Sequence, residues 1–228
     1  MNDSGGPSPP SERIGLILAL IIAAAVVCTT WAGYQSTRWS GVQANSYADA
    51  GAARTEANRS ALRAGQQRTV DVIVFTQWLT ALNEEMIVDP SARPGADYQP
   101  REGTISAFIF KRFRLELRTA MDAWLGTHPF VNPIAPPAPF VMPEYRLAAQ
   151  DEADRQEKRA DELGKQARDA NQLADRYVLT AVLFALVLFF AAIADRARGK
   201  RAQLMLFALS AVGLVVTVGL LMTFPIQR

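Results

Sequence analysis

The chain has 228 residues, half of them hydrophobic, with 24 basic against 22 acidic side chains and a formal net charge of +2. Bases and acids so evenly matched and interleaved give no footing for nucleic-acid binding. The single Cys28 excludes a disulfide within the chain, and the single His128 leaves a conventional zinc site short of ligands.

In chain order, residues 1–13, with Gly5-Gly6-Pro7-Ser8-Pro9-Pro10, read as a disordered tail. Residues 14–33 form an uncharged run long enough for a hydrocarbon core of roughly 30 Å. A cleaved signal peptide competes for this run. Its flank is poor in positive charge and its apolar core is long, so an uncleaved anchor is predicted. Residues 177–195 and 202–225 are the second and third spans. Between them, 196–201 carries Arg196, Arg198, Lys200 and Arg201, a short basic loop of the kind that stays in the cytoplasm. This orientation puts the amino terminus inside, and 34–176 and 226–228 outside. Trp31, Tyr34, Arg38, Trp39 and Tyr177 then fall at the outer membrane interface. No Asp, Glu, Lys, Arg or His lies inside the spans short of Asp195 at the very end of the second, which argues against a self-contained ion- or proton-coupled transporter.

The region between spans one and two is predicted to be helical, with a stalk (34–65 and 144–176) and a distal head (66–143). Span one should continue outward as a long helix, with Gly33, Gly41, Gly51 and Gly65 as bend points and Ala50, Ala53, Ala57, Ser60 and Ala64 on one face. The return helix is expected from Glu144, just after Pro143. Its Ala149, Ala153, Gln156, Ala160, Leu163, Ala167, Ala170, Ala174 and Tyr177 follow the 4-3 spacing of a coiled-coil seam. In the head, Val70 to Ile87 is rich in large apolar residues, and Ile105 to Leu125 reads as one further helix. Glu84, Glu85 and Asp89 read as a solvated helix end. Gly126-Thr127-His128 reads as a helix stop. The proline-rich 128–143 is predicted to lace across the helices in polyproline-II form, anchored by Phe130, Phe140 and Met142.

Two stretches stand out together: Trp31-x-x-Tyr34-Gln35-x-x-Arg38-Trp39 and Pro136-Pro137-x-Pro139-Phe140-x-Met142-Pro143-Glu144-Tyr145. With the three-span layout, the chain resembles a family of small, uncharacterised bacterial inner-membrane proteins. The resemblance implies a cytoplasmic-membrane location and supplies no functional residues.

The reading is therefore an all-α membrane protein, with three transmembrane helices and an extracytoplasmic helical bundle between spans one and two. No catalytic, cofactor or metal residues are expected, and no enzyme activity. The expected partners are membrane lipids and either a membrane protein or further copies of the chain. The expected function is an accessory subunit or self-assembling scaffold. The alternatives are an extracytoplasmic sensor and, behind it, a pore or transporter subunit.

Overall fold

The computed structural model describes residues 12–95, 98–197 and 199–227. The predicted tail up to Ser11, and with it Arg198 of the basic loop, lie outside the described residues. Five α-helices account for most of the rest, and no strand occurs among the described residues: α1 Glu12–Val88, α2 Ile105–Phe110, α3 Leu115–Leu125, α4 Ala148–Arg196 and α5 Lys200–Leu221. Three of them, α1, α4 and α5, are long and apolar enough to cross a membrane. The chain divides into two compact units, Gly51–Ala160 and the remainder.

Helix α1 runs unbroken for 77 residues, because no proline falls between Ser11 and Asp89. The predicted glycine bend points do not interrupt it. It stops where Asp89 precedes Pro90. A residue before proline is pushed out of the helical region, and Asp89 is extended, its carboxylate accepting from the Ser91 amide.

In the unit Gly51–Ala160, the core is aromatic. Trp78 is wholly buried and meets Phe110 at 5.8 Å and Phe75 at 5.9 Å between ring centroids. Leu117, Met121, Trp124 and Leu125 of α3 complete it. Burial of each such side chain is worth about 1.5–3 kcal/mol. The helix predicted over 105–125 is in fact two. Thr104 caps α2 by accepting from the Ala107 amide at 3.2 Å, and the chain leaves the helix at Lys111. The break lets Phe110 and Phe113 both reach the core, 5.2 Å apart. It also leaves Arg114 extended at the start of α3.

The α3 stop falls as predicted at 126–128, but Gly126 stays in the right-handed region (φ −60). His128 takes the left-handed conformation instead (φ 56). That conformation costs an L-residue about 1–2 kcal/mol. His128 is exposed, so His128→Gly should stabilise the protein by about 0.5–1 kcal/mol. Thermal unfolding in detergent should show a raised midpoint. A lowered one would mean that the imidazole makes a contact of its own.

The proline-rich segment is a chain of turns with one 3-10 turn at Pro139–Val141, rather than continuous polyproline II. Its anchors pack as expected: Phe130, Phe140 and Met142 lie against the core, and Trp124 donates to the Pro136 carbonyl at 2.7 Å. The return helix starts at Ala148, later than Glu144. Tyr145 and Leu147 are buried, and drawing them inward keeps the lead-in out of the helix.

The other unit packs α1, α4 and α5 through Leu18, Ile21 and Ala25 against Phe184, Val187, Ala191 and Ala194, with Phe207, Leu214 and Val218 of α5 alongside. Gly213 permits the close approach of α5, since a Cβ there would lie 3.1 Å from Val187. Of the basic residues between the second and third spans, Arg196 belongs to α4 and Lys200 and Arg201 to α5, and α5 ends at Leu221.

Candidate functional site

Beyond Leu221 the chain turns out of the helix and is caught by side chains of α1 and α4. Pro225 leaves its carbonyl open to donors, and two reach it: the Trp39 indole N–H at 3.2 Å and the Tyr177 hydroxyl at 3.0 Å. Phe224 sets its edge on the Tyr177 ring at 5.3 Å. Gln35 holds Gln227 from both sides. Its amide donates to the Gln227 carbonyl at 3.3 Å, and its own carbonyl accepts the Gln227 N–H at 3.0 Å. Gln35 and Tyr177 are both fully buried. A primary carboxamide holds N–H donors and a carbonyl acceptor in one plane, matching the carbonyl and N–H that one residue's main chain presents. Gln35 therefore clamps main chain and is indifferent to the side chain it holds.

Trp31 and Tyr34 are exposed, their rings 5.8 Å apart, as suits an interface position. Arg38 is exposed. Trp39 is half-buried in the clamp, and Tyr177 is wholly buried within the chain. The sequence motif carries Gln35 openly, but nothing local says that its partner lies 192 residues away.

Along the α4 seam spacing, burial is uneven, and Gln156 is half-buried. Ala153, Ala160, Ala167, Ala170 and Ala174 are buried, while Ala149 and Leu163 are half-buried. On α1, Ala50, Ala53, Ala57, Ser60 and Ala64 are buried too.

A second α1 stripe is not buried. Ala19, Ala23, Thr30, Gly33, Thr37, Gly41, Ala44 and Ala48 are all exposed, and their spacing keeps them on one face of a 3.6-residue helix. Val26 is the one larger side chain among them. Thr30 and Thr37 turn their hydroxyls onto the carbonyls of Val26 and Gly33, so their methyl groups point out. At Gly33 and Gly41, an added Cβ would meet nothing within 4 Å.

In the unit Gly51–Ala160, one polar cluster sits inside the core. Asp71 is 1 % exposed and accepts the Tyr145 hydroxyl at 2.9 Å. Arg114 approaches the same carboxylate oxygen at 3.9 Å and pairs with Glu116 at 3.0 Å. Burial raises the Asp71 pKa, against the pull of the Tyr145 hydrogen bond and the Arg114 charge. Burial and the neighbouring carboxylate likewise raise Tyr145. This cluster escaped sequence reading, although a signal existed. Asp71 lies seven residues after Ala64 and seven before Trp78, on a face otherwise buried and apolar.

The acidic helix end is also more than solvated. Glu85 caps α2, accepting from the Ser106 amide at 3.1 Å and its hydroxyl at 2.8 Å. Asp89 pairs with Arg101 at 2.6 Å, and that bond, with those from Ser91, draws its pKa down to about 2. Among the described residues, no group of three or more His, Cys, Asp or Glu side chains is placed to hold a metal ion. Arg196, Lys200 and Arg201 are exposed around the α4–α5 turn.

No family model, curated protein or solved structure matches the chain. The class that the fold defines is an all-helical protein with three helices able to span a membrane.

Proposed function

We propose that this protein is a non-enzymatic association module of the cytoplasmic membrane, working as a self-assembling scaffold or as an accessory subunit of a larger membrane complex. The observation that carries the reading is the bare stripe of α1. A glycine inside a helix costs about 0.5–1 kcal/mol relative to alanine. At Gly33 and Gly41 no neighbour within the chain requires that sacrifice, because the space beyond each is open. Small residues on an outward helix face, here running from span one (Ala19 to Gly33) into the part of α1 beyond it (Thr37 to Ala48), let another helix come close enough for backbone-to-backbone packing. The stripe is therefore read as a seat for a helix from outside the chain.

In this reading the basic turn faces the cytoplasm and residues 34–176 lie on the outer side, following the positive-inside rule. Protease added from the cytoplasmic side should leave that region intact, and cleavage there would reverse the orientation.

Association is tested by the mass of the complex in mild detergent. Wild-type protein should run as a multiple of 25.0 kDa or with a stoichiometric foreign subunit. Gly33→Leu combined with Gly41→Leu should release the lone chain. Gly219→Leu, at another open glycine on α5, should not. A wild-type monomer, or equal loss in the Gly219 variant, would reject the stripe as the seat.

A further inference from the structure

The α4–α5 turn carries charge in an unfavourable place. Lys200 and Arg201 occupy the first turn of α5, where the helix dipole already presents positive potential and a cation is disfavoured. No acidic residue lies in that turn, and Gly199 offers no side-chain cap. Arg196 closes α4 just before it. Asp195 is the one acid from 195 to 201. All three cations are exposed. Directly beside them the surface becomes apolar: Ile193 is 40 % exposed, Leu204 63 % and Met205 72 %. Clustered positive charge thus borders, within about one helical turn, a face suited to hydrocarbon.

We infer that Arg196, Lys200 and Arg201 bind the phosphate headgroup of an anionic phospholipid, with its acyl chains along Ile193, Leu204 and Met205. Charge complementarity selects the headgroup, and the bordering apolar residues select a lipid over a free phosphate. The inference is independent of the α1 stripe, which is elsewhere in the unit's sequence and carries no charge. Each basic residue near an anionic lipid surface contributes about fivefold in affinity.

The test uses the full chain in detergent, where membrane orientation has no influence on the outcome. Native mass spectrometry with phosphatidylglycerol or phosphatidylcholine added should give retained phosphatidylglycerol at least about tenfold above phosphatidylcholine. The variant R196Q/K200Q/R201Q should lose that preference. R196K/R201K should keep it. K158Q/K165Q/R168Q, with the same charge change on α4 away from the turn, should keep it too. The thermal midpoint of the wild type should rise with phosphatidylglycerol and not with phosphatidylcholine, which also reports whether each variant is folded. Equal retention of the two lipids would overturn the inference, as would a folded R196Q/K200Q/R201Q protein that still prefers phosphatidylglycerol. Displacement of the lipid by millimolar glycerol phosphate would overturn the choice of a lipid.

Discussion

Asp71→Ala should destabilise the helical domain by about 3 kcal/mol, in the range for breaking one side of a buried polar pair. For a chain of this size the thermal midpoint should fall by about 6–12 °C. Removing the carboxylate strands the Tyr145 hydroxyl in the core and leaves Arg114 with Glu116 alone. Tyr145→Phe should cost about 1–3 kcal/mol, because Asp71 then lacks its one short hydrogen bond. The double variant should cost less than the sum, since both changes remove the same interaction. Additive losses would mean that the two groups are not energetically coupled.

The pH dependence of this cluster has a definite sign. Burial raises the Asp71 pKa above its ordinary 3.8, so the folded state holds that proton more tightly than the unfolded chain does. The resulting stability is complete below the ordinary value and is lost as pH rises through the raised one. The wild type should therefore gain on Asp71→Asn as pH falls from neutral towards about 4. Asp89 behaves oppositely: its contribution is present above its ordinary 3.8 and is lost as pH falls through about 2. Taking the difference between wild type and Asp71→Asn at each pH isolates Asp71. A difference that is flat with pH would contradict the burial argument.

The second large effect is expected at the clamp. Gln35→Ala removes both hydrogen bonds to Gln227 and should cost about 2 kcal/mol. Gln35→Glu should be intermediate or worse: a carboxylate still accepts from the Gln227 amide but cannot donate to its carbonyl, and the site is buried. Tyr177→Phe and Trp39→Phe should each cost about 1 kcal/mol through the Pro225 carbonyl. Hydrogen exchange at the Gln227 amide is the direct readout. It should accelerate in Gln35→Ala, with the amides of α4 unchanged. Unchanged exchange at Gln227 would show that the clamp holds nothing.

The three apolar helices were legible in the sequence because length and lack of charge alone qualify a segment to span a bilayer. The small residues that are buried on α4 were legible as well, since their 4-3 spacing repeats along the chain and needs no knowledge of the partner. The division between α2 and α3 was not. The apolar spacing runs through the break, and only the core decides that Phe110 and Phe113 both turn inward. The delayed start of α4 has the same origin in the burial of Tyr145 and Leu147. The role of Gln35 was hidden for another reason. A glutamine one turn from an arginine beside aromatic residues suits a lipid interface or the capping of a neighbouring helix, and nothing local shows that its partner comes from the far end of the chain.

What the sequence determined by itself is local: helix where no proline intervenes, span where no charge intervenes, turn where Asp89-Pro90 forbids continuation. What only the tertiary structure decided is which face of each helix is covered. Leu18, Ile21 and Ala25 of α1 are buried, while Ala19 and Ala23 between them are bare. In a soluble helix the polar residues would have marked the outer face. In a span, lipid and protein neighbours are equally apolar, so hydropathy carries no signal that separates them. For Asp71, the seven-residue spacing to Ala64 and Trp78 marks the face, but only the convergence of Tyr145 and Arg114 gives a carboxylate partners inside.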